Sequence, residues 1–421
     1  MSAQNVTHFI LANRKFLTLP VKSTNSTNVL VTNLNSIFYL MLSKKGARAR
    51  NPECLFLCPG MDRLKIAPCI FRTSHIHVGR IPQGARKAMW LCLFVLTCFL
   101  AYPARLLAST NNDNQADFHP FETRDQNLFN LIHGQALPTN ARLNKKSQSL
   151  WSSSLAITNT LNFQSNTDES IYLDYEAYRF NFSYQYGLNN NWNLKLDVPL
   201  IYQSGGFFDS AIDSWHEFWS LPRANRPLVE HNQYDIQYAY QSQTPVALTE
   251  SSTTLGDIQL AVARSLIESS STTMSLWASL KLPTGNEDKL TSNGATDLSA
   301  WLALNQQLSE NWVINLNTGA VVLGTDNYKN IPLSDYALYG HIMLGWSVTD
   351  NINLKLQLQG HTSYYDQSQL TILGNTYFLT FGGTLTINQC NQLDFAVSED
   401  IKVEASPDAS FIISWRHTSH C

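Results

Sequence analysis

Residues 192–202 read WNLKLDVPLIY, with Trp192, Leu194, Leu196, Val198, Leu200 and Tyr202 on one parity and Asn193, Lys195 and Asp197 on the other. A period of two belongs to a strand whose two faces meet different surroundings. The dyad returns at Ile352, Leu354, Leu356 and Leu358 against Asn353, Lys355, Gln357 and Gln359, and again at Phe180, Phe182, Tyr184 and Tyr186. Trp312, Ile314 and Leu316, then Tyr377, Leu379 and Phe381, then Leu393, Phe395 and Val397 repeat it further along. A soluble β-sandwich also alternates, but its strands run nearer five or six residues and its apolar face meets a second sheet. Spans of about ten residues favour lipid as the apolar neighbour.

Working outward from these spans, short links fall at 187–191, 267–272, 309–311, 349–351 and 388–392, and long ones at 283–296, 324–335 and 363–375. Short turns on one side and long loops on the other are the pattern of an outer-membrane barrel. The stretch 203–254 keeps the alternation if it is one outer excursion with its own small hairpin around Tyr234 to Leu248. The fold class expected is therefore all-β, an antiparallel transmembrane β-barrel of about twelve strands over residues 150–416. Trp151, Trp192, Trp312, Trp346 and Trp415 all fall at the short-turn, periplasmic rim of that topology, where indole rings sit in the apolar zone with the N–H in water.

The front of the chain is of another kind. Residues 1–88 hold 13 Lys plus Arg against two acids, and residues 109–421 hold 15 basic residues against 30 acids, so the formal net charge of -3 averages two unlike pieces. Residues 90–101, WLCLFVLTCFLA, follow Arg80, Arg86 and Lys87 and precede small residues at Ala104 and Ala108. That order is a secretory signal peptide, and the run is short of the about 20 residues of a spanning helix. The expected organisation is a basic extension at 1–77 from a start codon set too far upstream, a signal peptide at 78–108 and a periplasmic segment at 109–149. The barrel and a C-terminal tail at 417–421 follow. A cytoplasmic extension on an uncleaved anchor is the alternative for 1–77. Five of the seven cysteines precede residue 109, without a standard zinc spacing; Cys390 and Cys421 remain, and the sequence gives no distance by which to decide whether they pair in an oxidising periplasm.

With the apolar parity outward, the lumen is expected to be lined by Arg179, Lys195, Asp197, Asp257, Lys281, Lys355, His361, Asp394 and Asp400. Arg416, His341, Asn315, Asn317, Gln357, Gln359, Thr380, Thr384 and Thr386 share that face. Charges of both signs in a narrow barrel should pair, because a lone buried charge is costly. Outside the bilayer, SGGFFDSAIDSWHEFWSLPRANRP at 204–227 offers Trp215, His216, Trp219 and Arg223, and KLPTGNEDKLTSNGATD at 281–297 is a second candidate loop. After residue 108 there is no G-x-S-x-G, H-E-x-x-H, Walker loop or C-x-x-C, so no catalytic residue, metal or cofactor is expected. The acidic body argues against nucleic acid.

The motifs themselves resemble a bacterial family, domain of unknown function 3187, over roughly residues 120–416. The likeness rests on TRDQN at 123–127, YGL at 186–188, SGGFFD at 204–209, IDSWHEFWSLP at 212–222 and LGDIQLAVA at 255–263. It extends through SLKLPTG at 279–285, GATDLS at 294–299, YGHIMLGW at 339–346, GHTSYYD at 360–366, VSEDI at 397–401 and SPD at 406–408. The resemblance implies an outer-membrane protein and brings no substrate or catalytic residue.

One departure is the end: such barrels usually close on an aromatic residue, and here Phe411, Ile413 and Trp415 precede Arg416 to Cys421. Trimming residues 416–421 is expected to leave a folded barrel. The functional expectation is a narrow channel or binder for a small solute in the outer membrane of a Gram-negative bacterium, gated by 204–227. A non-conducting structural or interaction barrel and a lipid-modifying enzyme using His216 or His361 are the alternatives. Lipid, lipopolysaccharide and the barrel-insertion machinery are the expected partners.

Overall fold

The computed structural model describes residues 118–210, 214, 218, 229–402, 404–407 and 409–419. The basic extension, the signal peptide, Trp215, His216, Trp219, Arg223 and Cys421 lie outside them. In chain order the strands are β1 (Ser149–Ser165), β2 (Glu169–Asn189), β3 (Trp192–Ser204), the short β4 (Asp235–Tyr240), β5 (Gln243–Leu248) and β6 (Ser252–Leu255), then β7 (Ile258–Glu268) and β8 (Thr272–Leu282). They continue with β9 (Asp297–Ser309), β10 (Trp312–Val322), the two-residue β11 (Asn327–Tyr328) and β12 (Ile331–Pro332), β13 (Tyr336–Thr349) and β14 (Ile352–His361). β15 (Thr376–Asn388), β16 (Asn391–Asp400) and β17 (Ala409–Thr418) complete them.

Twelve of these, all but β4, β5, β6, β11 and β12, pair antiparallel with their neighbours, and β17 returns to β1 through Leu150 opposite Thr418 and Asn159 opposite Ala409. Closure leaves the barrel without an edge, so every wall main-chain group inside a membrane finds its partner in a neighbouring strand. The expected twelve-strand barrel is what the chain forms. The expected hairpin in the excursion is β4–β5, whose β4 pairs with the first six residues of β2, Glu169 to Asp174. β6 continues the line of β7 along β3, interrupted at Gly256 and Asp257.

The alternation decides which side each residue meets. Leu194, Leu354, Leu356, Phe381, Phe395 and Ile413 are exposed on the outer face, whereas Asn193, Lys355, Gln357, Thr380 and Asp394 between or beside them are buried inside. So large an apolar girdle on a closed barrel requires hydrocarbon around it. At the short-turn rim Trp151, Trp312, Trp346 and Trp415 are each about two-fifths exposed, Trp312 stacks on Trp346 at 5.5 Å, and Trp192 sits under Arg264 at 5.6 Å. Trp277 and Trp301 break the rule that tryptophan marks the rim: they face inward, fully buried, stacked at 5.6 Å across β8 and β9.

Two boundaries differ from the sequence reading. Residues 118–144 run inside the barrel, where the sequence reading placed a periplasmic segment at 109–149. The end of the chain is strand to Thr418, with Arg416 buried against Asp394 at 2.7 Å and the Ser419 hydroxyl bonded to Ser149. Trimming from 416 would therefore remove a buried cation and one end of the closing strand pair, contrary to the expectation of a dispensable tail. Cys390 is engaged in a disulfide.

Candidate functional site

The lumen is occupied by the chain's own N-terminal segment. Starting at the short-turn end, Phe121 N–H donates to Gln357 Oε1 at 2.8 Å and Gln357 Nε2 donates back to Phe121 O at 3.1 Å, a two-point clasp on one residue. Higher up, Asp125 meets His361 Nε2 at 3.0 Å. Asn127 caps a single turn, α1 (Leu128–Leu131), by accepting from Phe129 N–H, and spends its amide on Ile372 O at 2.9 Å. The segment then descends. Gly134 N–H donates to Asp297 at 2.9 Å, Thr139 N–H to Asn317 at 2.8 Å and Ala141 N–H to Asn305 at 3.3 Å, and Asn144 donates to Gln185 O at 3.2 Å. Residues 118–144 thus traverse the lumen twice, up and back.

These bonds explain the inward side chains. A segment with so little regular structure leaves its own N–H and C=O groups unpaired, and each buried one needs a partner. The amides and carboxylates of the wall supply them. Arg124 does the same from within the segment, donating to Gln135 O and Asn130 O at 2.8 Å and to His133 O at 3.0 Å. Burial lowers its pKa from the ordinary arginine value.

Two ionic clusters fasten the segment. Near the long-loop end Lys281 Nζ lies 2.6 Å from Asp257 and 3.3 Å from Asp297, and donates to Ile132 O at 2.9 Å. Asp257 also accepts from Gly285 N–H and Ser292 Oγ, and Asp297 from Gly324 N–H, so the cluster ties the loops after β8 and β10 to the segment. Near the short-turn end Asp394 lies between Lys355 at 3.0 Å and Arg416 at 2.7 Å, and accepts from Thr384 at 2.6 Å. Lys355 donates to His119 O at 2.9 Å and lies 4.0 Å from the Phe121 ring centre. The paired charges expected for the lumen are present, with the segment's carbonyls completing them.

The remaining expected lining residues are placed as follows. Lys195 and Asp197 pair at 2.9 Å on β3. Arg179 is buried on the lumen side of β2 and makes no side-chain hydrogen bond or ion pair among the described residues. Asp400 is half-buried at the long-loop end of β16. His361 points into the lumen toward Asp125 and Thr362 O, away from the lipid that an outer-rim lipid hydrolase would have to reach. His133, which sequence reasoning passed over, stacks on Tyr364 at 4.5 Å with Nδ1 3.3 Å from Asn293. Burial, then Lys281, Arg124 and His361, hold its pKa well below 6.5.

Above α1 the long loops close in. Tyr364, Tyr365, Ile372, Leu373, Tyr328 and Leu290 pack with Leu128, Phe129 and Ile132 in one buried cluster. The start of the 204–227 loop behaves otherwise: residues 205–209 turn onto the outer face of β2 instead of the mouth, through Glu176 and Asn159.

Over residues 96–418 the sequence matches the family described as protein of unknown function (DUF3187). No curated protein matches the chain. Among solved structures it is similar to the COG4313 outer membrane channel from Pseudomonas putida F1, at 12% identity and TM-score 0.45 over 68% of this chain and 100% of that one. It is also similar to the Ralstonia pickettii toluene transporter TbuX, at 8% and 0.32 over 65% and 90%, and to a Pseudomonas aeruginosa FadL homologue, at 10% and 0.29 over 66% and 90%.

Proposed function

For this chain, which belongs to the DUF3187 family, we propose an outer-membrane channel or binder for a small solute that its own N-terminal segment holds shut. One observation carries the reading: the bonds named above between residues 118–144 and the wall all run through a side chain on at least one partner. A strand ladder breaks only as a unit, whereas side-chain bonds exchange for water one at a time. Both ends of the double traverse lie at the short-turn rim, so the segment can withdraw toward that side without threading past the barrel. The path then uncovered is lined by Lys195, Asp197, Asp257, Lys281, Lys355, His361 and Asp394. Arg179, which makes no side-chain hydrogen bond or ion pair among the described residues, is a wall charge that a passing solute would meet.

The filled lumen favours a second reading, a structural or interaction barrel that never opens. Planar-bilayer recording separates the two. Deleting residues 118–140 should convert a closed barrel with rare openings into one with sustained current. A deletion variant that keeps the heat-modifiable gel mobility of a folded barrel and passes no current would discard the channel and leave the structural reading.

A further inference from the structure

The outer face of the barrel carries a polar patch where its neighbours carry lipid-facing rings. Asn159 on β1, Glu176 on β2 and Ser204 on β3 lie side by side in register, on the same parity as the exposed Phe180 and Tyr202. Toward the long-loop rim, a carboxylate facing hydrocarbon would be costly. Glu176 is nevertheless fully buried, because residues 205–209 fold down over it.

The cover is built for that carboxylate. Glu176 accepts from Phe207 N–H at 3.3 Å and Phe208 N–H at 3.0 Å, and from the Tyr178 hydroxyl. Gly206 sits at φ +67°, and a Cβ there would meet Glu176 Cδ at 2.2 Å, so only glycine lets the chain approach this closely. Asp209 fixes the far end, accepting from Asn159 Nδ2 and Asn232 N–H, both at 2.6 Å. With its main chain spent on the wall, the segment turns its rings outward. Phe208 touches the outward Phe411 at 6.4 Å and Phe207 at 4.3 Å, continuing the apolar girdle. Phe207 is 67% exposed and Phe218 77%, more than any other large apolar residue described. In sequence the run goes on through Trp215, Phe218 and Trp219, the ring types that settle at the lipid headgroup boundary.

We propose that residues 205–209 form a lipid-embedded cover: Phe207, and Phe218 beyond it, insert among the acyl chains of the leaflet at the long-loop rim, and the backbone of 205–209 shields Glu176. Residues 205–209, the start of the excursion read from sequence as a gate, are then part of the membrane-facing wall. This rests on a barrel that spans the membrane and is independent of whether the lumen conducts.

The test places an environment-sensitive fluorophore at Phe207→Cys in the full barrel, reconstituted into phosphatidylcholine vesicles with or without bromine near the headgroup end of the chains. Leu356→Cys in the girdle and Asp288→Cys in an exposed loop are the references. The label at 207 should be blue-shifted and should lose fluorescence with brominated lipid as the 356 label does. A 207 label as unquenched as that at 288, beside a quenched 356 label, overturns the cover. An unquenched 356 label removes the membrane-spanning wall and the cover with it. Should Phe207→Cys fail the gel-mobility check for folding, Phe218→Cys is read by the same criteria.

Discussion

The luminal segment is fastened differently at the two ends of the lumen. At the long-loop end one cation, Lys281, stands between two carboxylates, Asp257 and Asp297. At the short-turn end one carboxylate, Asp394, stands between two cations, Lys355 and Arg416. The first cluster depends on a single charge for its balance, and the second has a cation in reserve. The outer cluster also touches the segment at two main-chain points, Ile132 O and Gly134 N–H, while the inner one touches it at His119 O. The difference teaches where the segment is held by the fewest charges: the inner cluster keeps a cation on Asp394 when one is removed, and the outer one keeps none.

The sharpest way to break this contrast is Lys281→Met. It strands two buried carboxylates beside each other and should cost roughly 3–5 kcal/mol, the range for a buried pair that loses one member, read as a lower denaturant midpoint and as spontaneous openings in bilayers. Lys355→Met should cost less, about 1.5–3 kcal/mol for charge-assisted hydrogen bonds, because Arg416 and Thr384 stay on Asp394; an equal or larger effect than at Lys281 would refute the asymmetry. Gly134→Ala asks whether the close approach at the outer cluster matters, since its Cβ would meet Asp297 Cβ at 2.6 Å. Overpacking of that kind should cost about 1–3 kcal/mol, and cysteine-accessibility of the segment should rise with it.

Acid should act on the same end more weakly. His133 is held neutral in the closed state, with its pKa well below 6.5. A released segment would protonate it near that ordinary value, so the released state binds more protons as pH falls below about 6.5, and closure weakens from there down to the lower pKa of the closed state. Open probability should therefore rise between about pH 7 and pH 5, and His133→Asn should flatten the rise. An unchanged slope in that variant would refute this role for His133.

Much of the wall was legible. In Trp192 to Tyr202 and Ile352 to Gln359 each residue is assigned to lipid or lumen by parity alone, and the twelve strands, the short turns and the tryptophan rim follow from repeating that assignment. Asp297 was missed although its motif, GATDLS, was in view: extending the parity of β9 through Ser299 and Trp301 places it inside. The luminal segment left a fainter trace. QNLFNLIHGQALPTN, residues 126–140, has no period of either kind and an excess of amides, which fits a chain needing side-chain partners for its main chain as well as it fits a loop in water.

What the sequence determined by itself is the wall, because a period of two is a local property and the lipid outside is the same for every strand. What only the tertiary structure decided is the content of the barrel and the side to which its loops turn. Lys281 meets Ile132, Gln357 meets Phe121 and Glu176 meets Phe208 across separations that no local pattern records. Each pair is selected by one shared need, that a buried polar group find a partner, and that need is specified only once closure has made the interior.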